Sequence, residues 1–338
     1  MGWIIASIVL AVCLLLSLLF LWLTHPRSRR AEMVRFAERC RYFAHRGLHD
    51  DEKPENSLPA FAAAVEAGYG IELDVQLSSD GVPVVCHDDR LTRMCGVEGR
   101  VCDRTAAELC ELPLAGREGV CIPTFADVLA AVGGRSPLIV EIKYAAGWQV
   151  TLEAAMALLD AYDGPYCIES FHPMVLSWLR RHRQRVLRGQ LNMRLRGVLP
   201  RRTAFQVCGE WFLTNCVARP DFVAYNHRDK GHLPFKLQTR LFPAATYIAW
   251  TVRSEEEERE AGPIFDAIIF ENYRPPVAGG NETEEAPKDS ASESETPAES
   301  NGDASPDAPA AADERAADRP ADIEAAPADA DKAGGEPA

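Results

Sequence analysis

Polar and apolar positions follow three different patterns along this chain. From Trp3 to Thr24 there is no alternation at all: 22 residues pass without a charge. As a helix rising ~1.5 Å per residue, that run spans about 33 Å, enough for a bilayer core of ~30 Å. Trp3 and Trp22 stand where interfacial aromatics belong. Between residues 40 and 276, short β-branched runs take turns with longer stretches of helical period. The runs predict strands at 42–45, 70–77, 82–87, 138–143, 166–170, 186–191, 221–226, 245–252 and 266–270. The stretches predict helices at 57–68, 124–132, 149–163, 173–183 and 254–262. Thr124 with Asp127, and Ser254 with Glu257, carry the spacing of a capping box. Glu255 to Glu258 then read as a solvated first turn favoured by the helix dipole. Beyond residue 276 neither period survives.

Strands alternating with helices imply a parallel sheet. The chain has no Gly-x-Gly-x-x-Gly and no Gly-x4-Gly-Lys loop, which argues against the dinucleotide and nucleotide folds. The strand number and the size of the region favour a (β/α)8 TIM barrel, in which chemistry belongs at the C-terminal ends of the strands. The expected organisation is a membrane anchor with its basic flank (1–30), the barrel (31–276) and a tail (277–338).

Charge separates the tail from the rest. Residues 277–338 hold 17 Asp/Glu and 4 Lys/Arg, so they carry −13 of the net −14. That segment is rich in Ala, Pro, Ser and acids and reads as disordered, because it cannot bury enough surface to offset its ordering entropy. Asn281-Glu282-Thr283 within it has the form of a glycosylation sequon. The remainder is nearly neutral, so net charge suggests no nucleic-acid-binding face. Arg27, Arg29, Arg30, Arg35, Arg39 and Arg41 all follow the apolar run and nothing basic precedes it. The positive-inside bias therefore predicts a single-pass anchor with the barrel in the cytoplasm. The cysteines lie in no Cys-x-x-Cys or zinc-like spacing and read as reduced, small apolar residues.

Three stretches gather chemistry. The first, "FAHRGLHDDEKPENS" from Phe43 to Ser57, brings His45, Arg46 and Glu55 to the end of a short apolar strand. In the second, Ile71 to Asp89, alternation puts Glu72, Asp74 and Gln76 on one face. Asp80-Gly81 signals a two-residue hairpin, which would pair His87 with Asp74. Two carboxylates at i and i+2 repel each other; a cation between them relieves this, and all-oxygen ligation suits Mg²⁺ or Ca²⁺ better than zinc. The third stretch, Leu138 to Lys143, adds Glu141 as a third oxygen donor and Lys143 as an ammonium for an anion. Carboxylates, two histidines, an arginine and a lysine suit an anionic substrate handled through a metal, and phosphate esters are the natural class.

The strings "HRG", "PENSLPAF", "IELDVQLSSDG", "VVCHDD" and "EIK", in this order, resemble the glycerophosphodiester phosphodiesterase family. The resemblance is dense from Tyr42 to about Met94 and intermittent to about Tyr273. It implies a TIM-barrel hydrolase that splits glycerophosphodiesters, small-molecule substrates, into glycerol 3-phosphate and an alcohol with a divalent cation. It further implies that His45 and His87 are the acid/base pair and that Arg46 and Lys143 grip the phosphate. Glu72, Asp74 and Glu141 would hold the metal, with Glu55 as a ligand or a neighbouring acceptor. Phe171, after Glu169-Ser170, and Trp250, in Trp250-Thr251-Val252, would form an apolar wall for the glycerol carbons. The family's last strand ends in Thr-Asp, whereas here it reads Phe270-Glu271-Asn272, and no catalytic role is placed on Glu271. Two alternatives stand beside this reading: a lysophospholipase D acting on membrane lysolipids, and a non-catalytic membrane-tethered scaffold.

Overall fold

The computed structural model describes residues 1–27, 30–145, 147–196, 199 and 201–276. The acidic tail and its sequon lie outside the described residues. In chain order the strands are β1 (Tyr42–Ala44), β2 (Gly70–Leu77), β3 (Pro83–Val85), β4 (Pro113–Leu114), β5 (Arg117–Cys121), β6 (Leu138–Ile142), β7 (Tyr166–Ser170), β8 (Leu187–Asn192), β9 (Phe222–Asn226), β10 (Thr246–Val252) and β11 (Ala267–Phe270). Eight of them, all parallel, close on themselves: β2, β6, β7, β8, β9, β10 and β11 follow in order, and β1 bonds both β11 and β2. This is the expected TIM barrel. Both faces of its strands are covered, so Leu138-Ile139-Val140-Glu141-Ile142 is buried at every position, as parallel barrel strands require.

The barrel interior is filled by Phe43, Ile139, Cys167, Phe222, Ile248 and Ala267, among others. Gly189 makes room there: a Cβ at that position would sit 2.1 Å from the Phe222 ring. A helix not foreseen from the sequence, Arg30–Arg39, seals the N-terminal end. It buries Met33 and Phe36, whose ring stacks on Phe43 at 5.6 Å. Only two large apolar side chains among many charges mark this face, too few to register as a helical period. The outer helices begin as their caps direct, with Ser57, Thr124 and Ser254 each accepting a bond from the third residue of its helix. In the first turn of the last of these, Glu255 and Glu256 are solvated, but Glu258 accepts from Tyr42 and Tyr273.

The β2–β3 hairpin corrects the expected register. Val75 faces Val85 and Leu77 faces Pro83, so Asp74 is not opposite His87. The loop holds three residues rather than two, with Gly81 at φ 79 and Ser78 N bonded to Val82 O at 3.0 Å. A left-handed glycine in third place gives the bulged three-residue hairpin and moves every pair by one. The segment after β3 then forms a lobe with its own core, including Val84, Leu91, Val101, Leu109 and Ile122. The β4–β5 hairpin, also unforeseen, lies in this lobe.

The N-terminal helix, Gly2–Thr24, is long and apolar enough to cross a membrane. It is exposed up to Leu19, and only its last turn is engaged by the barrel. All ten cysteines are free thiols, as expected.

Candidate active site

Every residue singled out from the sequence lies at the C-terminal end of the barrel or just beyond a strand's last residue. His45, Arg46, Glu72, His87, Glu141, Lys143, Phe171 and Trp250 line one cavity of about 30 Å³, joined by Glu169, Leu191 and Thr251. Arg46 follows β1 with φ 55, a left-handed conformation that non-glycine residues rarely hold without local support. The support is present: its amide donates to Glu72 Oε2 at 3.1 Å and its carbonyl accepts from Asn56 N at 2.8 Å. Gly47 then passes so close to the helix Leu58–Glu66 that a Cβ would stand 2.9 Å from the Ala60 backbone.

Glu72, Asp74 and Glu141 are buried, and one oxygen from each falls within 4.8 Å of the others. Parallel register brings them together, since Asp74 pairs directly with Glu141. Lys143 Nζ reaches both Asp74 Oδ1 (2.7 Å) and Glu141 Oε1 (2.8 Å). Asn56 Nδ2 holds the other Asp74 oxygen at 2.9 Å. Burial works to raise Asp74, but Lys143, His87 and Arg46 overcome it and keep this carboxyl well below its ordinary range. Glu72 goes the other way, raised by burial and then by Asp74. Glu169, 1% exposed, is pushed well up by burial and by the charges of Glu72 and Asp74. Glu72, Asp74 and Glu141 offer oxygens only, and the repulsion from Asp74 that raises Glu72 is what a cation there would relieve, so the residues fit a hard divalent cation held by oxygen.

The two imidazoles are each backed by a carboxylate. His87 Nδ1 lies 2.7 Å from Asp88 Oδ1, and His45 Nδ1 lies 3.1 Å from Glu271 Oε2. An ionised carboxylate only accepts, so each Nδ1 carries the proton and each Nε2 is left as the second ring nitrogen. Burial, Arg46 and Lys143 push His87 down to about 4, so it is neutral at pH 7. For Glu271 burial acts upward, but the bond from His45 and the nearby Arg253 guanidinium hold it well below the usual carboxylate range.

Glu55, expected as a ligand or a neighbouring acceptor, accepts from two arginines. Its oxygens take Arg46 Nη1 at 2.8 Å and Arg93 at 2.7 and 2.9 Å, leaving it outside the carboxylate trio. Phe171 and Trp250 meet edge to face at 5.7 Å and form the apolar side of the cavity.

Sequence reasoning missed four contributors. Asp88 was in plain view beside His87, but its partner depended on how the hairpin ends. Arg93 ties Asp88 to Glu55. Glu271 was noted only as a departure. Gln76 is the most consequential: its Nε2 donates to the carbonyls of Cys86 (2.8 Å), His87 (3.0 Å) and Asp88 (2.9 Å). Cys86 N still bonds Asp74 O across the hairpin at 3.0 Å; beyond it the Gln76 amide gathers three successive carbonyls into a turn, and His87 enters the cavity although the register alone would not place it there. The Glu72/Asp74/Gln76 alternation was the available signal.

The model of the Glycerophosphoryl diester phosphodiesterase family matches residues 45–194. Over 88 residues the chain is 40% identical to the "Glycerophosphodiester phosphodiesterase 1" of Rattus norvegicus, covering 26% of each protein. It is 42% identical over 109 residues to the "Glycerophosphodiester phosphodiesterase" of Caldanaerobacter subterraneus subsp. tengcongensis, covering 30% of this chain and 44% of that one. The aligned part thus spans about a quarter of the length of the mammalian relatives and under half of the bacterial one. The crystal structure of a glycerophosphodiester phosphodiesterase from Thermotoga maritima superposes with a TM-score of 0.52 at 26% identity, over 68% of this chain and 93% of that chain. An Oleispira antarctica phosphodiesterase, solved in complex with the product sn-glycerol-3-phosphate, shares the fold with a TM-score of 0.58 at 22% identity, over 70% and 94%.

Proposed function

The chain belongs to the glycerophosphodiester phosphodiesterase family, and on that premise we propose that its barrel hydrolyses glycerophosphodiesters to glycerol 3-phosphate and an alcohol. The observation that carries this reading is the convergence of two carboxylate-backed imidazoles, Arg46, Lys143 and a carboxylate trio on one small cavity. Glu72, Asp74 and Glu141 would hold the divalent cation, Mg²⁺ or Ca²⁺, which when bound supplies charge neutralisation at the phosphate oxygens.

Arg46 and Lys143 orient the phosphodiester and supply fixed positive charge where negative charge builds up. His87 is the general base: neutral at pH 7, its Nε2 takes the proton of the neighbouring glycerol hydroxyl as that oxygen attacks phosphorus and the P–O bond to the alcohol breaks, and water then opens the cyclic phosphate to glycerol 3-phosphate. His45 is the general acid of the same step, delivering a proton from Nε2 to the leaving alkoxide while Glu271 holds its Nδ1–H. Phe171 and Trp250 exclude water from the glycerol side. The helix Gly2–Thr24 is a single-pass anchor, and the arginines that follow it support a cytoplasmic barrel at 31–276.

The test is to incubate the full chain in detergent with glycerophosphocholine, glycerophosphoethanolamine and glycerophosphoglycerol, with and without chelator. Chelator-sensitive release of glycerol 3-phosphate supports the proposal; a folded chain with added metal and no release overturns it.

A further inference from the structure

The anchor does not merely precede the barrel; it is fastened to one end of it. The last turn of a helix leaves carbonyls without partners, and here the barrel supplies them. Thr24 O, buried, accepts from Asn215 Nδ2 at 2.8 Å and Gln238 Nε2 at 3.3 Å. Arg219 Nη1 donates to Trp22 O (3.2 Å) and His25 O (2.9 Å), and its guanidinium lies 5.2 Å from the Trp22 ring. A cation at this helix end also suits the dipole. His25 packs edge to face on Phe242 at 5.1 Å, and Arg27 N donates to Pro220 O at 2.8 Å.

All of these barrel residues fall on one side. Asn215, Arg219 and Pro220 directly precede β9, and Gln238 and Phe242 directly precede β10, so they surround the N-terminal ends of the strands. That is the end sealed by Met33 and Phe36. The cavity holding His45 and His87 opens at the other end, beyond strands of five to seven residues there, roughly 15–25 Å at ~3.3 Å per residue. Val217 and Leu241, each 40% exposed, flank the clamp together with the exposed Arg180 and Arg240. The mouth exposes Asp50, Asp51 and Glu52 but also Val150, Met174, Phe205 and Leu233, so the orientation rests on the clamp rather than on a contrast in surface composition.

We propose that the sealed end of the barrel is the membrane-facing surface, held there by Asn215, Arg219 and Gln238, so that the catalytic mouth points away from the bilayer. Resting on the phosphodiesterase reading, this assigns the substrate class: water-soluble, deacylated diesters reach the mouth, and a lysolipid seated in the same bilayer does not.

The full chain, reconstituted in vesicles containing an anionic phospholipid, tests both parts. A photo-crosslinking p-benzoylphenylalanine at position Val217 or Leu241 should give a lipid adduct, and one at Asp51 should not. Adducts at Asp51, or equal adducts at both ends, would overturn the orientation. In the same vesicles, turnover of added glycerophosphocholine should exceed that of embedded lysophosphatidylcholine at least tenfold; equal or reversed rates would overturn the substrate class. If neither substrate turns over, the phosphodiesterase reading and the substrate class fall together, and the adducts still decide the orientation.

Discussion

Glu271 Oε2 lies 3.1 Å from His45 Nδ1, and the same oxygen accepts from Arg253 at 3.0 Å. The carboxylate therefore fixes the ring, with the proton on Nδ1. Glu271→Gln should keep the fold but lower kcat by about 10²-fold, with KM little changed, because only the charged transition state loses support. Steady-state kinetics paired with thermal unfolding would check it. A variant with wild-type kcat would show that Glu271 only fills the rim.

His45→Ala and His87→Ala remove the proposed acid and base. Each is expected to reduce turnover by about 10²- to 10⁴-fold, the range of general acid–base contributions, in a protein that still folds. Rates near wild type in either would end that assignment.

The trio Glu72, Asp74 and Glu141 should make the protein respond to metal before any substrate is added. At a cation concentration of about 100 Kd, binding stabilises by ~2.7 kcal/mol, or roughly 5–10 °C in a domain of this size. Glu72→Gln is expected to abolish most of that shift. Because Glu72 is raised by burial and by Asp74, binding should also release protons, which calorimetry in two buffers of different ionisation enthalpy would detect.

Gln76→Ala leaves the Cys86, His87 and Asp88 carbonyls without their shared donor. A loss of about 1–3 kcal/mol of stability is expected, with a fall in kcat larger than the stability loss explains. Denaturation and kinetics on the same preparation separate the two effects.

His172 is held neutral by burial, its ring pushed down to about 4, with Tyr144 stacked 3.4 Å away. Below an unfolded value of ~6.5 the unfolded chain takes up a proton that the fold refuses, so stability falls as pH drops from 6.5 towards 4 and flattens below that. His172→Asn, which keeps an N-cap acceptor, should shrink the difference in melting temperature between pH 7 and pH 5. An unchanged difference would place the acid sensitivity elsewhere.

How much of this could be read from the chain differs by residue. The barrel strands were legible because burial on both faces writes near-continuous apolar runs such as Leu138 to Ile142. The trio was legible because period 2 places Glu72 and Asp74 together, and parallel pairing adds Glu141. His87 reaches the cavity by another route than the expected pairing: a third loop residue shifts the ladder, and a side-chain amide makes the turn that the ladder does not. Glu271 was visible as a departure, but its contact with His45 was not, because the partner is 226 residues away in sequence. The helices Ala204–Glu210 and Asn215–Ala218 were missed because one or two turns carry too little period to detect.

The closure of β1 between β2 and β11 has a bearing on how the protein is made. His45 leaves the ribosome 226 residues before Glu271, a wait of roughly 11–45 s at ~5–20 residues per second. Until β11 emerges, β1 lacks one of its two partners, and that edge stays open to pairing with other chains. The apolar helix is synthesised first, yet its fastenings Asn215 and Gln238 come near the end. Both the His45–Glu271 contact and the bonds from Asn215 and Gln238 to Thr24 thus become complete only after almost the whole barrel has been translated.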